Sequence, residues 1–132
     1  NFKVNPSKTI ICHADRTLTN IEDILIILNK GYVLEWDFFG IETSNYWFGN
    51  FDLPTDYMRL DLIFELIKKG FEKQITISHD ICIRTRLSSY GGHGYSHLNK
   101  NVVPLMLQRG WSAKNIEQIL VKNPANMLCY LN

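Results

Sequence analysis

The length, composition and charge of the chain exclude several classes of protein. Its 132 residues are 45% hydrophobic and 20% charged, which is typical of one globular unit and argues against a disordered, fibrous or membrane segment. The formal net charge is only +1 at pH 7, so the sequence predicts neither a nucleic acid nor a membrane surface as a partner.

Three further features of the sequence favour a cytoplasmic protein. No apolar run approaches the roughly 18 residues that a membrane span needs, and the first residues do not have the layout of a signal peptide. The cysteines are odd in number and widely spaced, which favours a reducing compartment over a disulfide framework or a zinc knuckle. They are Cys12, Cys82 and Cys129. Because the chain does not begin with Met, we expect it to be a fragment.

A short apolar run, an amphipathic stretch and a glycine follow one another repeatedly along the chain. The runs at residues 9–12, 32–36 and 75–78 are rich in β-branched, aromatic and other apolar residues, as buried parallel strands are. Between them, two stretches have apolar residues at i, i+3, i+4 and i+7, which predicts helices with one apolar stripe. The stripes are Ile21, Ile24, Leu25 and Leu28 in the first helix, and Leu60, Ile63, Phe64 and Ile67 in the second.

The ends of the predicted helices follow from capping residues. Thr19 and Glu22 have the spacing of a capping box at the start of the first helix, in which each side chain satisfies a backbone N–H of the other residue. Gly31, Gly70 and Gly110 each follow a helical run, where glycine adopts the left-handed conformation that ends a helix.

The last third of the chain is predicted to contain a polar stretch and two helices. Residues 84–100 are polar, a helix is expected at about residues 102–109, and Ser112 opens a last helix. That last helix has one apolar face, formed by Ile116, Ile119 and Leu120. We expect Asn123-Pro124 to interrupt it, because proline removes a helical hydrogen bond.

Alternating strands and helices predict an α/β fold with a parallel sheet and right-handed crossovers. A barrel and an open doubly wound sheet both satisfy this pattern. Three strands are too few to close a barrel alone, since about eight are needed.

Polar residues follow each predicted strand, at the edge where parallel α/β folds place their chemistry. These residues are Cys12-His13, Trp36-Asp37 and His79-Asp80. Imidazole nitrogens and carboxylate oxygens are ligands of zinc and manganese, so His13 and Asp80 are candidate metal ligands. The alternative for any one of them is a helix cap, a loop residue or a satisfied core group. By that interpretation Asp37 caps the loop after its strand, Asp15 interacts with the dipole of the next helix, and His79 packs in the core.

The segment at residues 90–97 has the most unusual composition, Tyr-Gly-Gly-His-Gly-Tyr-Ser-His. Its glycines permit a close approach of the backbone, and its aromatic and imidazole groups are suited to lining a substrate pocket. His93 and His97 have the spacing of zinc ligands on a helix, but no HExxH glutamate accompanies them and the glycines oppose a helix. We therefore expect a flexible loop rather than a metal site.

Taken together, these motifs resemble those of the phosphotriesterase-related proteins in the amidohydrolase superfamily. The resemblance spans essentially the whole chain and is carried by residues 12–17, 35–40, 79–81, 85–87, 90–97 and 123–124. It implies that residues 1–132 are the C-terminal part of a single hydrolase domain with a (β/α)₈ TIM-barrel fold. The chain would supply the last three βα units and a terminal helix, and the upstream strands would be missing.

The resemblance also implies a mechanism. His13 would match a metal-ligating histidine after the sixth strand, and Asp80 an aspartate after the eighth that ligates a metal and takes the proton of the attacking hydroxide. A divalent metal pair, expected to be two zinc ions in a complete site, lowers the pKa of bound water and polarises the scissile bond. The other ligands of the family have no counterpart here, so the chain alone is expected to be inactive.

The resemblance implies a small-molecule substrate, with Asp37, His93, Tyr95 and His97 as substrate-binding residues. Phosphotriesterases proper have a histidine where this chain has Phe38, which argues against organophosphates. A small ester, lactone or amide is expected, including N-acyl amino-acid-like amides such as N-acetyltaurine.

Two other functions are consistent with the same sequence. The first is a catalytically incomplete half-barrel that acts as an interaction or complementation module, with uncovered sheet edges that favour a homo-oligomer. The second is a TatD-like metal-dependent nuclease, which also has a ligating aspartate after its last strand. The nearly neutral charge and the glycine-rich segment disfavour the nuclease.

Overall fold

The protein contains a small parallel sheet whose order follows the chain. The structure is a computed structural model and describes residues 4–46 and 51–129. Strands β1 (Ile10–Ile11), β2 (Val33–Trp36) and β3 (Ile75–Ile77) pair in the order β1-β2-β3, and both pairings are parallel. All three predicted strands are confirmed, each one or two residues shorter than expected.

Six α-helices surround or follow the sheet in the described residues. They are α1 (Ala14–Thr17), α2 (Ile21–Asn29), α3 (Asp56–Lys68), α4 (Val103–Gln108), α5 (Ala113–Glu117) and α6 (Asn123–Leu128). Short 3₁₀ turns lie at Pro6–Lys8, Glu72–Gln74, Arg84–Arg86 and Ser88–Tyr90. Helices long and apolar enough to cross a membrane are absent from the described part of the chain.

The helices cover the sheet with the faces that the periodicity predicts. Ile24 and Leu28 of α2 are buried, and α3 buries Leu60, Ile63 and Leu66 against the same core. The strands contribute buried residues to this cluster at Leu34, Trp36, Ile75 and Ile77. Burial of each large apolar side chain stabilises the fold by about 1.5–3 kcal/mol.

The observed caps confirm most of the predicted helix ends and correct one. Gly31, Gly70 and Gly110 have φ of 88°, 90° and 82°, which is the left-handed conformation expected after a helix. Ser112 accepts the Asn115 N–H at 3.1 Å and caps α5 as predicted. The capping box at Thr19 is wrong.

The residue that caps α2 is Asn20, one position later. Its side-chain oxygen accepts the backbone N–H of Glu22 at 2.7 Å, and its backbone is extended. Asparagine is as good an N-cap as threonine or better, so the two adjacent polar residues competed and the sequence pattern selected the wrong one.

Two helical segments contain a π turn, in which the helix is widened by one extra residue per turn. Each π turn ends two positions before a proline. The N–H of Val103 bonds to the Leu98 carbonyl and that of Asn123 to the Gln118 carbonyl, which makes π turns at Leu98–Val102 and Gln118–Lys122. Each π turn accommodates the missing N–H of the proline that follows. The expected interruption at Asn123-Pro124 is therefore wrong, because α5 continues through its π turn into α6.

Candidate active site

The ends of β1 and β2 are joined by His13 and Asp37. The His13 N–H donates to Asp37 Oδ2 at 3.0 Å, and His13 Nδ1 lies 2.7 Å from the same oxygen. His13 has a φ of 60°, which is uncommon for a residue other than glycine. Asp37 thus holds both the backbone and the ring of His13 in place at the edge of the sheet.

Asp80, after β3, is the second predicted metal ligand with a left-handed backbone. Its φ is 41°, and strained backbone of this kind is concentrated at functional sites. The carboxylate lies 3.1 Å from Nη1 of Arg86, which also donates to the Asp80 carbonyl. Arg86 was not predicted as a site residue, although Thr85-Arg86-Leu87 is part of the family resemblance.

Carboxylates at the ends of β2 and β3 influence one thiol, that of Cys12 at the end of β1. Its Sγ donates to Glu35 Oε2 at 3.2 Å, and single ligand atoms of Cys12, Glu35 and Asp37 lie within 4.8 Å of one another. Burial first, and then the hydrogen bond with Glu35 and the charges of Glu35, Asp37 and Asp80, together raise the pKa of Cys12 to about 12. Cys12 is therefore a thiol rather than a thiolate at neutral pH.

A buried cation that the sequence did not reveal lies behind this edge. Arg59 of α3 is 1% exposed, and its Nε donates to Asp15 Oδ2 at 2.8 Å and its Nη1 to Asp56 Oδ1 at 2.9 Å. Asp15 Oδ2 also accepts the Phe38 N–H at 3.0 Å. Asp15 is thus a buried partner of Arg59 as well as an acid in the first turn of α1.

Burial dominates the ionisation of both aspartates at this edge. It raises the pKa of Asp15 despite the opposing attraction of Arg59. It likewise raises the pKa of Asp37, which the hydrogen bond with His13 opposes. One oxygen of each, Asp15 Oδ1 and Asp37 Oδ1, is buried without a hydrogen-bond partner among the described residues.

Three imidazoles cluster beside the strand ends. The rings of His79 and His93 stack with centroids 6.2 Å apart, and the His97 ring lies 5.4 Å from His93 in an edge-on arrangement. His79 is half-buried and its Nε2 accepts the Leu98 N–H at 3.2 Å, so the expectation that it packs in the core is wrong. Burial first, and then the neighbouring imidazoles, lower the pKa values of His79 and His93.

His97 is held by hydrogen bonds on both sides of its ring. Nε2 lies 2.6 Å from Asp56 Oδ2 and Nδ1 lies 2.9 Å from Nδ2 of Asn101. Because a carboxylate only accepts and an amide nitrogen only donates, Nε2 carries the proton and Nδ1 accepts. Residues 91–96 form a loop as expected, but His97 already belongs to the helical segment that follows.

A cavity of about 670 Å³ lies between the loop after β2 and the loop after β3. Gly40 brings the first loop close, because a Cβ at this position would lie 2.5 Å from Cγ of His93. Of the predicted substrate-binding residues, His93 and His97 line the cavity. Asp37 is 4% exposed and Tyr95 is 69% exposed, and neither lines the cavity. The substrate-binding roles of all four residues stay predictions.

The chemistry of these groups fits a divalent metal. His13 presents Nε2, which has no partner among the described residues, while its Nδ1 side is held by Asp37, an arrangement that usually supports a metal-ligating histidine. The buried, unpartnered Asp37 Oδ1 and the carboxylate of Asp80 add oxygen donors to this edge. Imidazole nitrogen with carboxylate oxygen is a donor set that zinc accepts, so His13 and Asp80 would hold the metal.

Comparison with known proteins identifies the family. The sequence model of the Phosphotriesterase family matches residues 3–128. The chain belongs to the phosphotriesterase family. The relatives include an N-acetyltaurine hydrolase of Dictyostelium discoideum, 46% identical over 92% of this chain and 33% of that protein. An N-acetyltaurine hydrolase of Salmo salar is 42% identical over 94% of this chain and 36% of that protein.

Solved structures confirm the predicted fold class. The resiniferatoxin-binding protein from Rhodobacter sphaeroides has a TM-score of 0.87 at 25% identity, over 93% of this chain and 34% of that one. The phosphotriesterase homology protein from Escherichia coli, complexed with phosphate in its active site, has a TM-score of 0.78 at 26% identity, over 93% and 39%. This phosphotriesterase-family chain therefore has the α/β fold of TIM-barrel relatives and spans about a third of their length.

Proposed function

We propose that the chain is the C-terminal part of a single TIM-barrel domain, in a protein that hydrolyses a small ester, lactone or amide. The observation that carries this proposal is the arrangement of His13, Asp37 and Asp80 at one edge of the parallel sheet. Two of the three have a left-handed backbone, and the third binds His13 through both its N–H and its ring.

Each of these residues has a definite task in such a reaction. A bound metal pair, which we expect to be zinc, would supply hydroxide at neutral pH and polarise the scissile carbonyl. His13 would bind the metal through Nε2, and Asp37 would orient the ring. Asp80 would take the proton of the attacking water, and Arg86, whose Nη1 lies 3.1 Å from its carboxylate, would hold that carboxylate in place.

The names of the relatives favour an amide within this class. Several relatives that cover more than nine tenths of this chain are N-acetyltaurine hydrolases. We propose an N-acyl amino-acid-like amide as the substrate, with N-acetyltaurine as the first compound to test. A cytoplasmic location belongs to the same proposal.

A complementation module is the second candidate, because β1 and β3 are the edge strands of the described sheet and Ile10 of β1 is 36% exposed. Unpaired edges invite pairing with another chain. In this case the 132-residue chain would assemble as a homo-oligomer or with a separate chain that supplies the other strands.

The deciding experiment compares the 132-residue chain with a protein extended upstream to the length of the relatives. Zinc and manganese are measured by elemental analysis, and N-acetyltaurine hydrolysis is followed by release of taurine. We expect metal and activity only in the longer protein. Activity in a purified mixture of the chain with separately produced upstream strands would favour complementation, and stoichiometric metal on the chain alone would contradict the proposed division of ligands.

A further inference from the structure

The cavity beside the three imidazoles has one basic side chain on its wall. Its lining includes Tyr46, Arg86, His93 and His97 together with the loop at Gly40, and Arg86 is the one Lys or Arg among the lining residues that the structure describes. Its volume of about 670 Å³ is in the range of small-molecule sites.

Arg86 is held in a fixed orientation by three kinds of contact. Its guanidinium lies over the ring of Phe38, 5.7 Å from the centroid. Nη1 faces Asp80 and also lies 3.3 Å from Cys82 Sγ, whereas Nη2 lies 3.3 Å from the Tyr46 hydroxyl, which lines the same cavity. The side chain is only 11% exposed, so little conformational freedom remains to be lost when a ligand binds.

One edge of this guanidinium has unused donors. Nε and Nη2 lie on the same side of the group and form a planar fork that matches two oxygens of an anion. Among the described residues, Nε has no acceptor and Nη2 has only the long contact with Tyr46. The contacts with Asp80 occupy Nη1, on the other side.

The acidic groups of the cavity do not compete for this edge. Asp56 is fully engaged, since Oδ1 accepts from Gly40 at 3.0 Å and Arg59 at 2.9 Å, and Oδ2 binds His97 at 2.6 Å. Glu42 is exposed at the rim, where its Oε1 accepts the Asp56 N–H at 2.7 Å.

We propose that the Nε–Nη2 edge of Arg86 binds the anionic end of the substrate, a sulfonate or a carboxylate, and thereby selects negatively charged N-acyl amines over neutral esters, lactones and amides. This inference rests on the proposed function and narrows its substrate class. Because Arg86 also contacts Asp80, an anion on this edge would orient the substrate with its acyl group toward the metal ligands.

The test uses the metal-loaded protein of full length and three amides of similar size. N-acetyltaurine and N-acetyl-β-alanine carry the two kinds of anion, and N-propylacetamide is neutral. For each, kcat/KM is measured for the wild type, Arg86→Met, Arg86→Lys and the control Arg84→Met. Arg84 is exposed and lies over Tyr90, 5.6 Å from its centroid, outside the cavity lining.

We expect the wild type to prefer both anionic amides by about 100-fold, the size of a charge-assisted bidentate contact. Arg86→Met should lower kcat for all three amides to a similar extent through the lost contact with Asp80, and should in addition raise KM for the two anionic amides, which removes most of their preference. Arg84→Met should change nothing. Arg86→Lys keeps the positive charge but not the planar pair of donors, so its preference for anionic amides should lie between those of the wild type and Arg86→Met. A larger loss for one anion than for the other identifies whether a sulfonate or a carboxylate fits better.

The ratio of kcat/KM for two substrates, measured on one preparation, does not depend on the fraction of folded enzyme. A variant that folds poorly therefore still gives an interpretable ratio. An equal fall for anionic and neutral amides in Arg86→Met would overturn the proposal, since Arg86 would then act only through Asp80. The proposal would also be overturned if the wild type showed no preference for the anionic amides. If none of the three compounds is hydrolysed, the proposed function fails. Calorimetric measurement of their binding to the wild type and to Arg86→Met then still tests the Arg86 contact.

Discussion

Asp37 Oδ2 accepts the backbone N–H of His13 at 3.0 Å and lies 2.7 Å from Nδ1 of the same residue. One carboxylate oxygen therefore controls the left-handed turn at the end of β1 and the orientation of its imidazole. The two residues are 24 positions apart and meet only because β1 and β2 are parallel neighbours.

Asp37→Asn should weaken metal binding without unfolding the protein. The amide keeps the size of the carboxylate but loses the charge that orients His13, and removing such a partner usually costs about 10–100-fold in metal affinity or activity. Zinc affinity by competition with a chelator, and kcat/KM at saturating zinc, are measured on the full-length protein. Asp23→Asn, on the exposed face of α2, is the matched control. Unchanged zinc affinity would contradict the orienting role.

Asp80→Asn and His13→Ala should each lower kcat by orders of magnitude in the full-length protein. Asp80→Asn removes a proton acceptor and a ligand, while His13→Ala removes a ligand and keeps the left-handed φ of 60°, which alanine tolerates less well than histidine. We therefore expect His13→Ala to be less stable than Asp80→Asn, because asparagine tolerates the left-handed backbone of position 80. Circular dichroism and initial rates with N-acetyltaurine decide this, and near-normal turnover in either variant would refute the ligand assignment.

The sequence could predict the elements of this fold because its local signals agree with the tertiary contacts. The stripes at Ile24, Leu28, Leu60 and Ile63 lie where they must cover a sheet, and the left-handed glycines end the helices as expected. The polar residues after the strands converge because parallel strands bring their carboxyl ends to one edge.

The parts that could not be predicted depend on contacts between residues far apart in the sequence. Arg59 is adjacent to an apolar stripe and would normally be assigned to a solvated helix face, yet it pairs with Asp15, 44 positions earlier. Arg86 and Glu35 were missed for the same reason. A charge is buried only where a partner is already in place, and single-sequence periodicity does not indicate such partners.

Arg59→Met should destabilise the chain by about 3–5 kcal/mol, because it leaves the carboxylates of Asp15 and Asp56 buried without their cation. Both side chains of the Arg59–Asp15 pair are 0% exposed. Urea unfolding followed by tryptophan fluorescence measures the change. Lys69→Met, at the exposed C-terminal end of α3, is the control.

The effect of Arg59→Met should also depend on pH. Burial raises the pKa of Asp15 above its ordinary value and Arg59 lowers it, so loss of Arg59 raises this pKa further. An aspartate with a raised pKa in the folded state costs stability above that pKa, and the cost disappears as the pH falls toward the unfolded value of about 3.9. The destabilisation should thus be smaller at pH 5 than at pH 7.5, and a difference that grows on acidification would exclude this cause.

Asn123→Ala should destabilise the chain although it lies in the terminal helix, far from the candidate active site. The Asn123 amide is 2% exposed and donates from Nδ2 to the carbonyls of Glu72 and Ile75 at 2.7 and 2.6 Å. Alanine would leave two acceptors at the start of β3 without this donor, at a cost of about 1–3 kcal/mol for each buried group that stays unsatisfied.

Asn126→Ala, exposed on the same helix, should change the unfolding free energy by less than about 0.5 kcal/mol. Because Asn123 binds the carbonyl of Ile75, the first residue of β3, we also expect faster hydrogen exchange of the β3 amides in Asn123→Ala. Equal stability of the two variants would show that α6 does not anchor the strand.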